Sequence, residues 1–480
     1  MKTIITLMVT LLACQLFSQR SKKPWHNHEN YKEDVIKAIK QSPEILNPKE
    51  FFDFPEESTT TINNNYEQQS NANISEFVNG INIAWVSFGR DIGVDPEYGT
   101  EYHPDLDTFS LVMDKVVNAG GNVLRWWYHT NGSTNPVYDM DQKVTNNPAF
   151  FHEDVIKILD LAASKGLQVQ ICLWSFDMLK DQWNVDAVAN KKVLTEDENM
   201  EAYLTNALIP LVQAVGDHPG LYAWEIFNEA EGMTTEFGSH WPGFIEKVSI
   251  VDIQKFINKA SAAIRRIEPN VMITNGALGF LTNVEDIDLG YQNYYTDQKL
   301  EEIGGESGGY LDFYNIHYYN WAGENGSPFH NFYYVEKVDK KAVIAEYYPE
   351  NTFGVEAEYL GVVLKENEWH GSLVWSWTDR PWSTMEPIMI NIESNILSVS
   401  DIAPLDSSKV ILTPNPVDNL ITVHGITKNT LVEISDITGK TVFKTILNNG
   451  FQNVIDLGGL QEGMYHVTLD KIVVKRILKK

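Results

Sequence analysis

The sequence predicts an α/β protein: a (β/α)8 TIM barrel followed by a small all-β sandwich domain. Three observations predict it. From Phe77, short apolar runs alternate repeatedly with longer stretches of helical period, the pattern of parallel strands joined by right-handed helical crossovers. Eight such units in roughly 320 residues fit the usual size of a (β/α)8 barrel with insertions. From about Ala403 the text changes to brief alternating runs split by Asn, Gly and Asp turns, which reads as antiparallel sheet. A doubly wound sheet is the bland alternative. It is weakened because Ala84-Trp85-Val86-Ser87-Phe88-Gly89, not a glycine-rich phosphate loop, follows the first strand.

Composition narrows the function before any motif does. The chain has 480 residues, 37 Lys+Arg against 65 Asp+Glu, and a net charge of −28. That balance repels phosphate backbones and anionic lipid, so no nucleic acid is expected as a partner. With two cysteines, Cys14 and Cys172, neither a disulfide scaffold nor a cysteine-built zinc site is available.

In chain order, Lys2 precedes an apolar run from Ile4 to Phe17, then Ser18-Gln19 and the basic Arg20-Ser21-Lys22-Lys23. This reads as a secretory signal over residues 1–19, too short for a spanning helix. Leu11-Leu12-Ala13-Cys14 loosely resembles a lipoprotein box, in which Cys14 would be anchored; cleavage near Gln19 would discard it. The expected product is secreted or held at the cell surface, without stable membrane insertion. Residues 20–75 form an N-terminal segment with one weak helical signal at 31–42 and a Thr/Asn/Gln-rich linker. His26-Asn27-His28-Glu29, in that segment, reads as a solvated accident rather than a metal pair.

The barrel is expected over 76–400. Its strands are predicted at 80–86, 122–126, 167–174, 222–227, 271–277, 311–318, 342–347 and 371–377, with helices at 105–119, 152–165, 199–215, 244–267 and 355–369. In such a barrel the functional groups gather at the C-terminal strand ends. The fourth strand ends Trp224-Glu225-Ile226-Phe227-Asn228-Glu229 and the seventh Ala345-Glu346-Tyr347. Two glutamates closing buried strands cost several kcal/mol unless paired or used. Facing each other in an aromatic mouth, they are what glycoside hydrolysis needs, one protonated and one ionised. Glu225 is expected to point into the barrel as a satisfied polar residue. Among the tryptophans, Trp174 and Trp321 sit best for the cleft. No Asp/His set at the strand ends offers a divalent-metal site, and no cofactor is expected.

Over 76–400 the chain resembles glycoside hydrolase family 5 and its clan of retaining (β/α)8 glycosidases. The resemblance is carried by the ordered set Arg125, Asn228-Glu229, His317-x-Tyr319, Glu346 and Trp375. It implies Glu229 as acid/base and Glu346 as nucleophile. Asn228 would bond the sugar 2-hydroxyl, Arg125 and Tyr319 would hold Glu346 ionised, His317 would line the acid/base side, and Trp375 would floor the reacting sugar. An arginine so placed is expected to depress the pKa of Glu346. Two departures stand out: Ala230 replaces the common proline, and Leu173-Trp174-Ser175-Phe176 lacks the strand-three histidine of many members. The second leans the expectation toward a mannanase-like endo-β-1,4-glycanase on a neutral plant or algal polysaccharide. A cellulase-like endoglucanase, an exo-acting glycosidase and a non-catalytic glycan-binding protein stay open. Exo action hinges on whether loops at 232–238 and 301–309 close one end of the cleft.

The tail, 403–480, carries no tryptophan and is +2 where the remainder is −30. Pro414-Asn415-Pro416, Thr438-Gly439-Lys440, Gly463-Met464-Tyr465 and the basic end Lys475-Arg476 and Lys479-Lys480 make it resemble the C-terminal sorting domain of type IX secretion. That implies the type IX machinery as a partner. A carbohydrate-binding sandwich is the rival, short of its usual stacking surface.

Overall fold

The computed structural model describes residues 77–480 apart from 239–240, 287–289, 331–333, 402–409, 425–429, 438–439, 448–452 and 470–472. The predicted signal, with Cys14, the 31–42 helix, the polar linker and the His26/His28 pair lie outside the described residues.

Eight parallel strands close a barrel: β1 (Val78–Asn82), β2 (Val123–Thr130), β3 (Gln168–Ser175), β4 (Leu221–Asn228), β5 (Met272–Ala277), β6 (Tyr314–His317), β7 (Ala342–Glu346) and β8 (Gly371–Val374). Each pairs with its neighbours in sequence, and β1 closes the ring by pairing Val78 with Gly371 and Gly80 with Val123. Alternation along the strands sorts the interior into layers. Val78, Val123, Ala223, Val343, Ala345 and Leu373 form an apolar plug, and Arg125, Gln170 and Glu225 follow as a polar layer toward the C-terminal mouth. The outward-facing residues, among them Ile81, Leu124, Ile171 and Ile226, pack under the helices in one continuous core.

Helices appear over each stretch that the 3.6-residue pattern marked, and over three more, with ends set by local chemistry. They are α1 (Leu106–Asn118), α2 (Ala149–Ser164), α3 (Ala187–Thr195), α4 (Asp197–Tyr203), α5 (Ile209–Val215), α6 (Ile250–Ile267), α7 (Asp297–Gly304), α8 (Leu360–Glu366) and α9 (Trp382–Asp401). The helix predicted at 244–267 starts later because Ser249 and Asp252 form a reciprocal capping box. The one predicted at 199–215 is divided by a π-helical turn, Leu204–Leu208. Pro210 at the start of α5 has no N–H to offer the carbonyl four residues back, which favours that break. Helices α3, α7 and α9 were not predicted; the signals of α3 and α7 are single caps, Asp186 accepting from Ala189 N and Thr296 from Lys299 N.

The C-terminal unit has its own core. Strands β9 (Ile411–Thr413), β10 (Leu420–His424) and β13 (Asn453–Asp456) make one antiparallel sheet, and β11 (Thr430–Ser435), β12 (Thr441–Leu447), β14 (Gly463–Leu469) and β15 (Val473–Lys479) another. Val417, Ile421, Val432, Ile434, Ile455 and Val467 are buried between them. The alternating runs at 420–423, 431–434, 441–445, 464–469 and 472–477 account for five of these strands, and β9 and β13 are additional.

Candidate active site

The polar layer is organised by one arginine. Arg125 on β2 is fully buried, and each of its five N–H groups has an acceptor. Nε and Nη2 bind Glu225 Oε2 and Oε1 at 2.6 and 2.7 Å. Nη1 donates to Asn82 Oδ1 at 2.8 Å and Glu346 Oε1 at 2.5 Å, and Nη2 also to Asn228 Oδ1 at 2.9 Å. A bidentate fork is what guanidinium geometry does best. Glu225 is thereby a structural anion, as expected, with Gln170 Nε2 as a further donor at 2.7 Å. Room for it comes from Gly276, where a Cβ would stand 2.2 Å from Glu225 Oε1.

Above this layer sit the two glutamates. Glu229 follows β4 in the left-handed region, φ 49°, with its N–H on the Gly276 carbonyl at 2.8 Å. That conformation costs a non-glycine residue about 1–3 kcal/mol and marks a site whose surroundings impose it. Glu346 ends β7; Tyr319 donates to its Oε2 at 2.6 Å. His317 Nδ1 lies 2.8 Å from Glu229 Oε1 and 3.5 Å from Glu346 Oε2. One oxygen of each glutamate and this ring nitrogen all fall within 4.8 Å of one another.

Their electrostatics differ. Burial pushes Glu229 up to about 8, reinforced by the nearby Glu231. Burial also raises Glu346, so the expected depression by Arg125 is corrected: desolvation outweighs the opposing pull of His317, Arg125 and Tyr319. Glu346 nonetheless accepts from Arg125 and Tyr319, two donors that Glu229 does not share, while His317 lies closer to Glu229. Burial holds His317 down at about 4, neutral near pH 7.

The glutamates open on a cleft of about 640 Å³ lined by Asn228, Glu229, Tyr319, Trp321, Glu346 and Trp375, together with Trp85, Trp127, Phe176, Asp177, Trp241, Leu278, Tyr348 and Asp379. Trp375 is pinned by its indole N–H on Asp379 Oδ2 at 2.6 Å and flanked by Trp85 and Trp127. Trp321 is 64% exposed and stacks near Tyr319. Trp174 is the exception: it is 0% exposed, packed on His129 and Tyr203 behind the wall. The irregular register at the end of β2, where Thr130 opposes Trp174, marks the place where alternation fails as a guide. His129 and Tyr128 are likewise buried, His129 bonding Asn135 and Tyr203. Trp85 and Trp241 were missed. The first directly follows strand one and could have been found by the strand-end rule. The second lies in a long loop, and only Gly232, where a Cβ would stand 2.5 Å from its ring, hints at the packing. Residues 301–309 join α7 to β6 at the opposite end of the barrel, bonded to Asn258 and Arg265 of α6, so they cannot close the cleft.

Residues 412–480 match the model of the secretion system C-terminal sorting domain. Mannan endo-1,4-beta-mannosidases of Mytilus edulis and Cryptopygus antarcticus are 26% identical over 326 residues and 28% over 319. They are matched over 64% and 62% of this chain and 85% and 80% of their own. The X-ray structure of the beta-mannanase from the blue mussel Mytilus edulis superposes with a TM-score of 0.59 at 26% identity, covering 66% of this chain and 92% of that one. Residues 92–341, more than half of the chain, match the model for cellulase (glycosyl hydrolase family 5), and the chain belongs to that family.

Proposed function

We propose that this protein is a retaining endo-β-1,4-mannanase working by double displacement between Glu229 and Glu346. The observation that carries the reading is the approach of the two carboxylates to within 4.8 Å in unlike surroundings. Retaining enzymes hold their carboxyl groups about 5–5.5 Å apart and inverting ones about 6.5–9.5 Å; the short approach favours the former. With its pKa near 8, Glu229 keeps its proton at neutral pH and gives it to the leaving oxygen. Glu346, oriented by Arg125 and Tyr319, attacks the anomeric carbon. The glycosyl–Glu346 ester is then hydrolysed by water that Glu229, now a carboxylate, deprotonates. Asn228, its Oδ1 taken by Arg125, has an amide N–H left for a sugar hydroxyl.

Endo action is supported by aromatic surface on two sides of the pair. Trp375 and Trp85 follow β8 and β1 and Trp127 lies within β2, while Phe176, Trp241 and Trp321 belong to the loops after β3, β4 and β6. Mannan is favoured over glucan by the relatives' own activity. The test compares Glu229→Gln with wild type on mannan, glucomannan, cellulose, xylan and an activated aryl mannoside. Mannan hydrolysis should fall by about 10²–10⁴ in the variant, and the aryl mannoside, whose leaving group needs little protonation, far less. Glu346→Gln should lose both. Wild-type inactivity throughout would favour a glycan-binding protein, and first products of α configuration would exclude retention.

A further inference from the structure

Glu231, two residues beyond the candidate acid/base, has a buried carboxylate that the double-displacement scheme does not use. It is 1% exposed. Its oxygens accept from Tyr295 O–H at 2.7 Å, Thr282 O–H at 2.8 Å and Leu278 N–H at 3.2 Å. Three donors converge on it, and among the described residues no cation pairs with it. A buried anion left without a counter-ion is strongly disfavoured unless hydrogen bonds or a function compensate.

We propose that Glu231 is a positioning residue that keeps the proton on Glu229, acting as a buried negative charge two residues beyond the acid/base. This rests on the assignment of Glu229 above. Other charges face Glu229 from every side. Arg125 approaches from β2, Asp177 and Lys180 from the loop after β3, His317 and Tyr319 from β6 and its loop, and Glu346 from β7. Lys180 sits 3.1 Å from Asp177, so their fields largely cancel. Arg125 is already engaged by Glu225 and Glu346. Glu231 has no such partner, and after burial it is the largest influence raising Glu229. At low effective dielectric an uncompensated charge acts strongly over short distances. The plainer role, a tie between the loops after β4 and β5, predicts a loss of stability and nothing specific to proton affinity.

Glu231→Gln separates the two. Its amide oxygen can still accept from Leu278 N–H, and both hydroxyls can turn to accept from its NH₂, so shape and hydrogen bonding persist while the charge goes. The alkaline limb of kcat/KM should fall by about one pH unit. A carbon-13 carboxyl titration of Glu229, identified by its loss in Glu229→Gln, should fall with it. Glu231→Asp keeps the charge and breaks the ties: its limb should stay near that of wild type while its melting temperature drops. An unmoved limb in Glu231→Gln, or an equal fall in Glu231→Asp, would overturn the proposal. The titration needs no substrate. A wild type inactive on mannan would therefore defeat the functional assignment and leave the effect of Glu231 still readable.

Discussion

Arg125 shows how one side chain both builds and sets a site. With all five N–H groups occupied, it links strands β1, β2, β4 and β7 and orients Asn228 and Glu346 together. Glu229 has no comparable contact, and its raised pKa makes a stability prediction. Above the ordinary carboxylate range an unfolded chain has lost this proton, while the folded chain keeps it up to about pH 8. The folded state then holds more protons, so stability falls as pH rises through that window. Glu229→Gln removes this contribution. Chemical denaturation at pH 5 and pH 8 should show the variant gaining on wild type at the higher pH, by a few kcal/mol at most. Parallel stability at both values would mean that Glu229 titrates normally.

At the scale of elements, the site is a set of strand ends, and that is why so much of it was legible. A strand closed by a glutamate is visible in the text, and the order of a (β/α)8 barrel says which ends share a mouth. Asn228, Glu229, Tyr319, Glu346, Trp375 and Trp321 accordingly line one cleft, with Arg125 and His317 buried against its glutamates. Trp174 does not, because a local irregularity between β2 and β3 turns it into the wall. Trp241 was invisible because loop conformation has no period to read. Close packing between strands carries its own prediction. Gly276→Ala would place a methyl 2.2 Å from Glu225 Oε1 and 3.0 Å from the Phe227 carbonyl. We expect a loss of about 1–3 kcal/mol, with Glu225 pushed against Arg125 and activity falling more than stability alone explains. Thermal melts and kcat on the same preparation would check this. Unchanged activity would mean that the arginine network tolerates the shift.

The described residues fall into two compact units, divided between Asn395 and Ile396. The first holds every residue of the cleft. The second matches a sorting domain, which marks the chain for export. Among the described residues no helix is long and apolar enough to cross a membrane. We propose that catalysis and export are separable. A chain ending at residue 401 should retain its thermal transition and its hydrolysis of mannan, and the tail from 403 fused to a reporter should export it in a host with type IX machinery. A truncated chain that folds and yet loses hydrolysis would show that the barrel depends on its tail.

Periodicity, strand-end identity and charge in the sequence alone determined the barrel, the order of its elements, the separate β tail and the facing glutamates. Each of these follows from which residues neighbour one another along the chain. The tertiary structure alone decided that burial raises both glutamates, that the Glu231 carboxylate is buried among three donors, and that Trp241 rather than Trp174 lines the cleft. Desolvation and through-space charge depend on distances between segments far apart in the chain, and side-chain spacing along one strand does not encode them.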